Sequence, residues 1–100
     1  MNPYQWTVPV DHPAFAGHFP GTPILPGVVL LDTALRIIAE AHNIALDHSE
    51  IASVKFLSPV YPGDALAFHH ALLASGSIRF DVSSAQSAVA SGTLIPGARL

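Results

Sequence analysis

The sequence predicts an α+β fold, a curved antiparallel sheet wrapped around one long central helix. Three observations carry that prediction. Residues 28–43 contain neither Pro nor Gly and are apolar over most of a helical circumference. Residues 50–95 hold segments with period-two alternation and abundant β-formers. One further strand candidate and a proline-rich loop come before the helix. A single helix buries its whole circumference only if the sheet curls around it.

Residues 4–10 (YQWTVPV) read as the first strand, with Pro9 marking an edge or an end. Residues 11–27 carry Pro13, Pro20, Pro23 and Pro26 and form a loop of restricted freedom. Pro26-Gly27 then opens the helix, about four turns long at 3.6 residues per turn. Its polar residues Asp32, Arg36 and Glu40 recur at i, i+4 and i+8, which makes one narrow stripe. Four strand candidates follow at 50–60, 64–74, 77–84 and 87–95, separated by YPGD, SGS and AQ. The last two breaks are of hairpin length, so this part reads as an antiparallel meander. Gly63 in YPGD reads as a turn glycine.

The 100 residues make one domain, 1–100. Half are hydrophobic and only 11% are charged. That composition is too apolar for disorder and too lean in charge to cover a monomer. A subunit interface is expected, most simply that of a symmetric homodimer. The net charge is −3, and the cations Arg36, Lys55, Arg79 and Arg99 are scattered, so nucleic acid is not an expected partner. The absence of Cys excludes disulfides and zinc–thiolate sites. No metal or cofactor is expected. There is no HExxH-like spacing or carboxylate cluster, and PGTPILPG lacks the GK[ST] ending of a phosphate loop. His69 and His70 are neighbours on a strand and point to opposite faces, while His12, His42 and His48 fall in loops or at a helix end. MNPYQWTVPVDHP has no cationic leader pattern, and the longest apolar stretch is too short and too interrupted to span a bilayer. The expected location is the cytoplasm, without a membrane partner.

The stretch GHFPGTPILPGVVLLDTAL (17–35) closely resembles the hot-dog-fold 3-hydroxyacyl-(acyl-carrier-protein) dehydratases. VKFLSPVYPGDAL (54–66) resembles the strand and turn that follow the central helix in that family, and the resemblance covers nearly the whole chain in order. It implies a hot-dog fold, a catalytic His18, and an acidic partner fourteen positions later at Asp32. It also implies a homodimer with shared active sites, or a higher oligomer or heterodimer, with His18 of one subunit facing Asp32 of the other. The implied substrate donor is an acyl carrier protein, for which Arg36, Lys55, Arg79 and Arg99 could form only a small docking patch. Arg36 stands where family members usually carry Gln, and the chain is short. Both features resemble the compact dehydratases of aryl polyene and related pigment pathways.

The chemistry agrees with these residue types. Dehydration of a 3-hydroxyacyl thioester to a trans-2-enoyl thioester needs a base at C2, an acid at the C3 hydroxyl and donors for the thioester oxygen. Histidine suits the base, because imidazole titrates near neutral pH. A carboxyl group suits the acid, directly or through water. The first helical amides, Gly27 and Val28, suit the oxyanion. Phe19, Ile24, Leu25, Val28 and Leu31 are candidates for the acyl pocket. Arg36 bears on the acid, since a guanidinium beside a carboxylate favours its ionised form. Two pairings of Arg36 are open, with Asp32 or with Glu40. Two other functions fit the same fold: a hot-dog thioesterase, in which a carboxylate activates water, and a non-catalytic acyl-binding or dimer-partner subunit.

Overall fold

Alternation of apolar and small polar side chains builds the sheet. Leu66 and Phe68, Ile78, Phe80 and Val82, and Ala90 and Leu94 are all buried. The strand register brings them onto one face, Phe68 opposite Val82, Phe80 opposite Gly92 and Ile78 opposite Leu94. Ala67, His69, Arg79, Asp81, Ser91 and Thr93 alternate with them onto the other face. The computed structural model describes residues 3–15 and 24–97. Its strands are β1 (Tyr4–Thr7), β2 (Glu50–Phe56), β3 (Ala65–Leu72), β4 (Ile78–Ser84) and β5 (Ala88–Ile95). One helix, α1 (Gly27–His42), lies between β1 and β2 in the chain.

The five strands form one antiparallel sheet in the order β1-β3-β4-β5-β2. The expected meander holds for β3, β4 and β5 but not for β2. That strand pairs with β5 at the far edge, and residues 57–64 carry the chain back across to β3. The reason lies in the linkers. SGS and AQ can only close hairpins, whereas the longer segment ending in YPGD leaves β2 free to find a distant partner. The turn closes with Gly63 at φ +85 and with the Tyr61 amide donating to Asp64 Oδ2 at 2.9 Å.

α1 begins where Pro26 (ψ 140) precedes Gly27 and ends at Asn43, which takes the left-handed conformation at φ 55 and ψ 54. Leu30, Ala34 and Ile38, one turn apart, are buried and share one core with the apolar face of the sheet. The expected α+β layout, one long helix held by an antiparallel sheet, is the one observed. The sheet covers one face, while Val28 is 73% exposed and Leu31, Leu35 and Ala39 are only partly buried. β2 is an open edge as well, with every residue exposed except the half-buried Val54.

Gly92 is required by close approach. A Cβ there would lie 2.5 Å from the Phe80 ring and 2.6 Å from the Ser53 carbonyl oxygen on β2. The β2–β5 pairing has no room for it, so Gly92→Ala is expected to destabilise the chain by about 1–3 kcal/mol. Urea unfolding checks this: the midpoint falls while the slope stays constant.

Candidate active site

The helix start sets the local chemistry. The Pro26 carbonyl accepts the Val29 amide at 3.0 Å and the Leu30 amide at 3.2 Å. Pro26 has no side-chain acceptor, and α1 has no side-chain cap. Among the described residues, the Gly27 and Val28 amides therefore have no acceptor. These are the two donors expected to hold a thioester oxygen, at the positive end of the helix dipole.

Gly27 opens onto an apolar cleft of about 380 Å³. Ile24, Leu25, Leu30, Phe56, Leu57 and Val60 form most of its walls. The wall is tied across by Leu25 N–H donating to the Val60 carbonyl at 2.8 Å. Ile24 and Leu25, two of the acyl-pocket candidates, line this cleft. Leu31 does not: Leu30 lines the cleft, and Leu31, about 100° further round the helix, packs against the core edge instead. Phe56 and Leu57 were not anticipated as cleft residues. The signal available was their adjacency, two large apolar residues breaking the period-two pattern just before Ser58-Pro59.

Asp32 lies on another surface. It is one turn beyond Val28, and its side chain is 58% exposed. Arg36 Nε donates to Asp32 Oδ2 at 2.8 Å. This settles the pairing of Arg36 in favour of Asp32 rather than Glu40. Asp32 Oδ1 accepts no hydrogen bond from the described residues. The arrangement leaves an exposed carboxylate one turn beyond Val28, with one oxygen engaged by Arg36 and the other accepting no hydrogen bond from the described residues. His18 and Phe19 lie outside the described residues, as does Arg99.

A second, larger groove of about 530 Å³ runs along another flank of α1, between Tyr4, Trp6, Ile37, Glu40 and His70, with Arg36 at its border. It does not include Gly27, which lines the smaller cleft. His70 there is hydrogen-bonded to His42, the last helical residue, with Nε2 and Nδ1 2.8 Å apart. One ring donates and the other accepts, which ties the C-terminal end of α1 to β3. The sequence by itself assigns these two histidines no role. Among the described residues no group of three or more His, Cys, Asp or Glu is arranged to hold a metal ion. No described helix is long and apolar enough to cross a membrane.

One helix packed on a five-stranded antiparallel sheet is the hot-dog fold of dehydratases. Residues 3–93 match the ApeI-like family, described as ApeI dehydratase, and the chain belongs to that family. The ApeI:P dehydratase heterocomplex from Xenorhabdus doucetiae superposes with a TM-score of 0.79 at 26% identity, covering 94% of this chain and 84% of that one. A trans-AT PKS dehydratase domain from Brevibacillus brevis shares the fold, with a TM-score of 0.79 at 19% identity over 97% of this chain and 41% of that one. The 3-hydroxyacyl-[acyl-carrier-protein] dehydratase FabZ of Nitratidesulfovibrio vulgaris is 36% identical over 75 residues, 66% of this chain. The match spans 49% of that relative, about half its length.

The exposure of both partners limits what the Asp32–Arg36 pair adds to stability, since their side chains are 58% and 73% exposed. Such pairs contribute about 0–1 kcal/mol. Arg36→Gln is therefore expected to leave the unfolding free energy within ~1 kcal/mol of the parent chain, read by chemical denaturation.

Proposed function

We propose that this chain is a 3-hydroxyacyl-thioester dehydratase that takes its substrate from an acyl carrier protein and works as a dimer. The observation that carries this reading is the Gly27 amide at the wall of an apolar cleft, which, like the Val28 amide next to it, has no acceptor among the described residues. Family membership supports the reaction class. The FabZ relatives, named for 3-hydroxyacyl-carrier-protein substrates, support the substrate.

In this reading the thioester oxygen rests on the Gly27 and Val28 amides, which stabilise the charge that develops there as the C2 proton leaves. His18 is the base that takes that proton. The C2–H electrons form the C2=C3 double bond, the C3–O bond breaks, and Asp32 in its protonated form delivers a proton to the departing hydroxyl, directly or through water; exchange with solvent then takes the proton from His18 and returns one to Asp32. Water and a trans-2-enoyl thioester are the products. Arg36 holds one oxygen of Asp32 and leaves the other for the substrate.

The uncovered apolar flank of Val28, Leu31, Leu35 and Ala39 and the open edge β2 support assembly with a second subunit, each chain supplying part of the site. A homodimer is the simplest form. A heterodimer is the alternative suggested by the ApeI:P neighbour, whose structure is a heterocomplex. Of the described cations, Arg36 and Arg79 are paired with Asp32 and Asp81, so Lys55 on β2 is the one cation there without an ion pair. It is a candidate contact for an acidic carrier.

Incubation with a 3-hydroxyacyl thioester, read by enoyl absorbance and by free thiol, tests the activity. Enoyl product without thiol is expected. Thiol release without enoyl product would assign the chain to the thioesterases instead. His18→Ala and Asp32→Asn are expected to lower turnover by ~10²–10⁴-fold with unchanged circular dichroism. Arg36→Gln should stay within ~10-fold of the parent, because it removes one hydrogen bond to the acid and not the acid itself. Native mass spectrometry is expected to show a species of twice the 10.5 kDa chain mass. A monomer at micromolar concentration would contradict the shared site.

A further inference from the structure

The cleft at the helix start is shaped by a side chain to which the elimination chemistry assigns no role. Phe56 is the last residue of β2 and stands opposite Ala90 on the helix side of the sheet. Its ring tip abuts Gly27. A Cβ at position 27 would lie 3.0–3.2 Å from three ring atoms, Cζ, Cε1 and Cε2. The ring thus fills the space that a side chain at position 27 would take. The requirement for glycine here is one of close approach.

The other walls near Gly27 cannot set the width of the cleft in the same way. Leu25, Leu30 and Val60 are 4%, 3% and 2% exposed and belong to the core. The hydrogen bond from Leu25 to Val60 fixes their separation. Phe56 is 51% exposed, with its tip wedged against the helix and the rest of the ring on the cleft and its mouth. At about 380 Å³ the space is near the lower end for small-ligand pockets, ~300–1,000 Å³. A ring in that position narrows the passage next to Gly27.

We propose that Phe56 is a specificity-determining residue: its ring, packed on Gly27, admits acyl chains that are unbranched next to the reacting carbons and excludes branched ones. The proposal rests on the dehydratase reading for the seat of the thioester carbonyl at the Gly27 and Val28 amides. From that seat the acyl chain has to run along the ring. A straight chain can lie against an aromatic surface, whereas a methyl branch at C4 meets the ring. The substrate class is therefore linear 3-hydroxyacyl thioesters.

The test compares two six-carbon N-acetylcysteamine thioesters, 3-hydroxyhexanoyl and 3-hydroxy-4-methylpentanoyl, on the full chain and on Phe56→Ala, Phe56→Leu and Phe56→Tyr. A single methylene or methyl group in an apolar pocket changes kcat/KM by ~10–200-fold. The parent chain should prefer the linear substrate by at least ~10-fold. Phe56→Ala should reduce that preference by ~10-fold or more, Phe56→Leu by less, and Phe56→Tyr should retain it. If Phe56→Ala does not fold by circular dichroism, Phe56→Leu carries the comparison. An unchanged ratio overturns the proposal. So does an equal loss on both substrates with dissociation of the dimer, which would assign the ring to the subunit interface. If the parent chain eliminates water from neither substrate, the dehydratase reading fails. The proposal is then read from calorimetric affinities for hexanoyl and 4-methylpentanoyl pantetheine, which cannot eliminate. The same preference, lost in Phe56→Ala, sustains it, and equal affinities in the parent chain overturn it.

Discussion

The burial of one helical stripe on one sheet face organises this small protein. Leu30, Ala34 and Ile38 are buried, as are the side chains of β3, β4 and β5 on the facing side, and all join a single core. Each large side chain removed from water there contributes roughly 1.5–3 kcal/mol. The described residues include no buried polar or charged side chain, so this apolar contact has no rival within the core. Once it forms, the rotation of α1 about its axis is set. The first helical turn then falls beside the end of β2, where Phe56 meets Gly27. The cleft follows from that placement.

The same packing divides the candidate chemistry between two surfaces. Gly27 and Leu30 look onto the cleft, while Val28 and Asp32 share a flank that this chain leaves open. A single helix cannot present both surfaces to one cavity within its own subunit. That geometry, more than the scarcity of charge, supports the proposal that a second subunit completes the site. The Asp32–Arg36 pair is suited to such an arrangement, because an exposed ion pair costs little to rearrange.

Much of the architecture was legible before any coordinates. Pro26-Gly27 announces the helix, and sixteen residues later Asn43 closes it in the left-handed conformation that Asn tolerates better than most residues. SGS and AQ are too short for anything but hairpins, so β3, β4 and β5 could be ordered in advance. The partner of β2 could not. Its pattern says strand but not which neighbour, and the answer rests on a pairing more than thirty residues away in the chain, Phe56 with Ala90. The hydrogen bond between His42 and His70 was hidden for the same reason, since it needs both the end of α1 and the register of β3.

Local chemistry was sufficient for the elements, for the first helical amides behind Pro26, which lack an intrahelical acceptor, and for the spacing of Asp32 and Arg36 within one turn. Steric limits and backbone hydrogen bonding act over a few residues, so they can be read from neighbours in the chain. The choice of Leu30 over Leu31 for the cleft, the partner taken by Arg36, and the aromatic wall supplied by Phe56 depended on tertiary packing. Each of these is a question of which side chain faces which, and only the burial of α1 on the sheet fixes the angle that answers it.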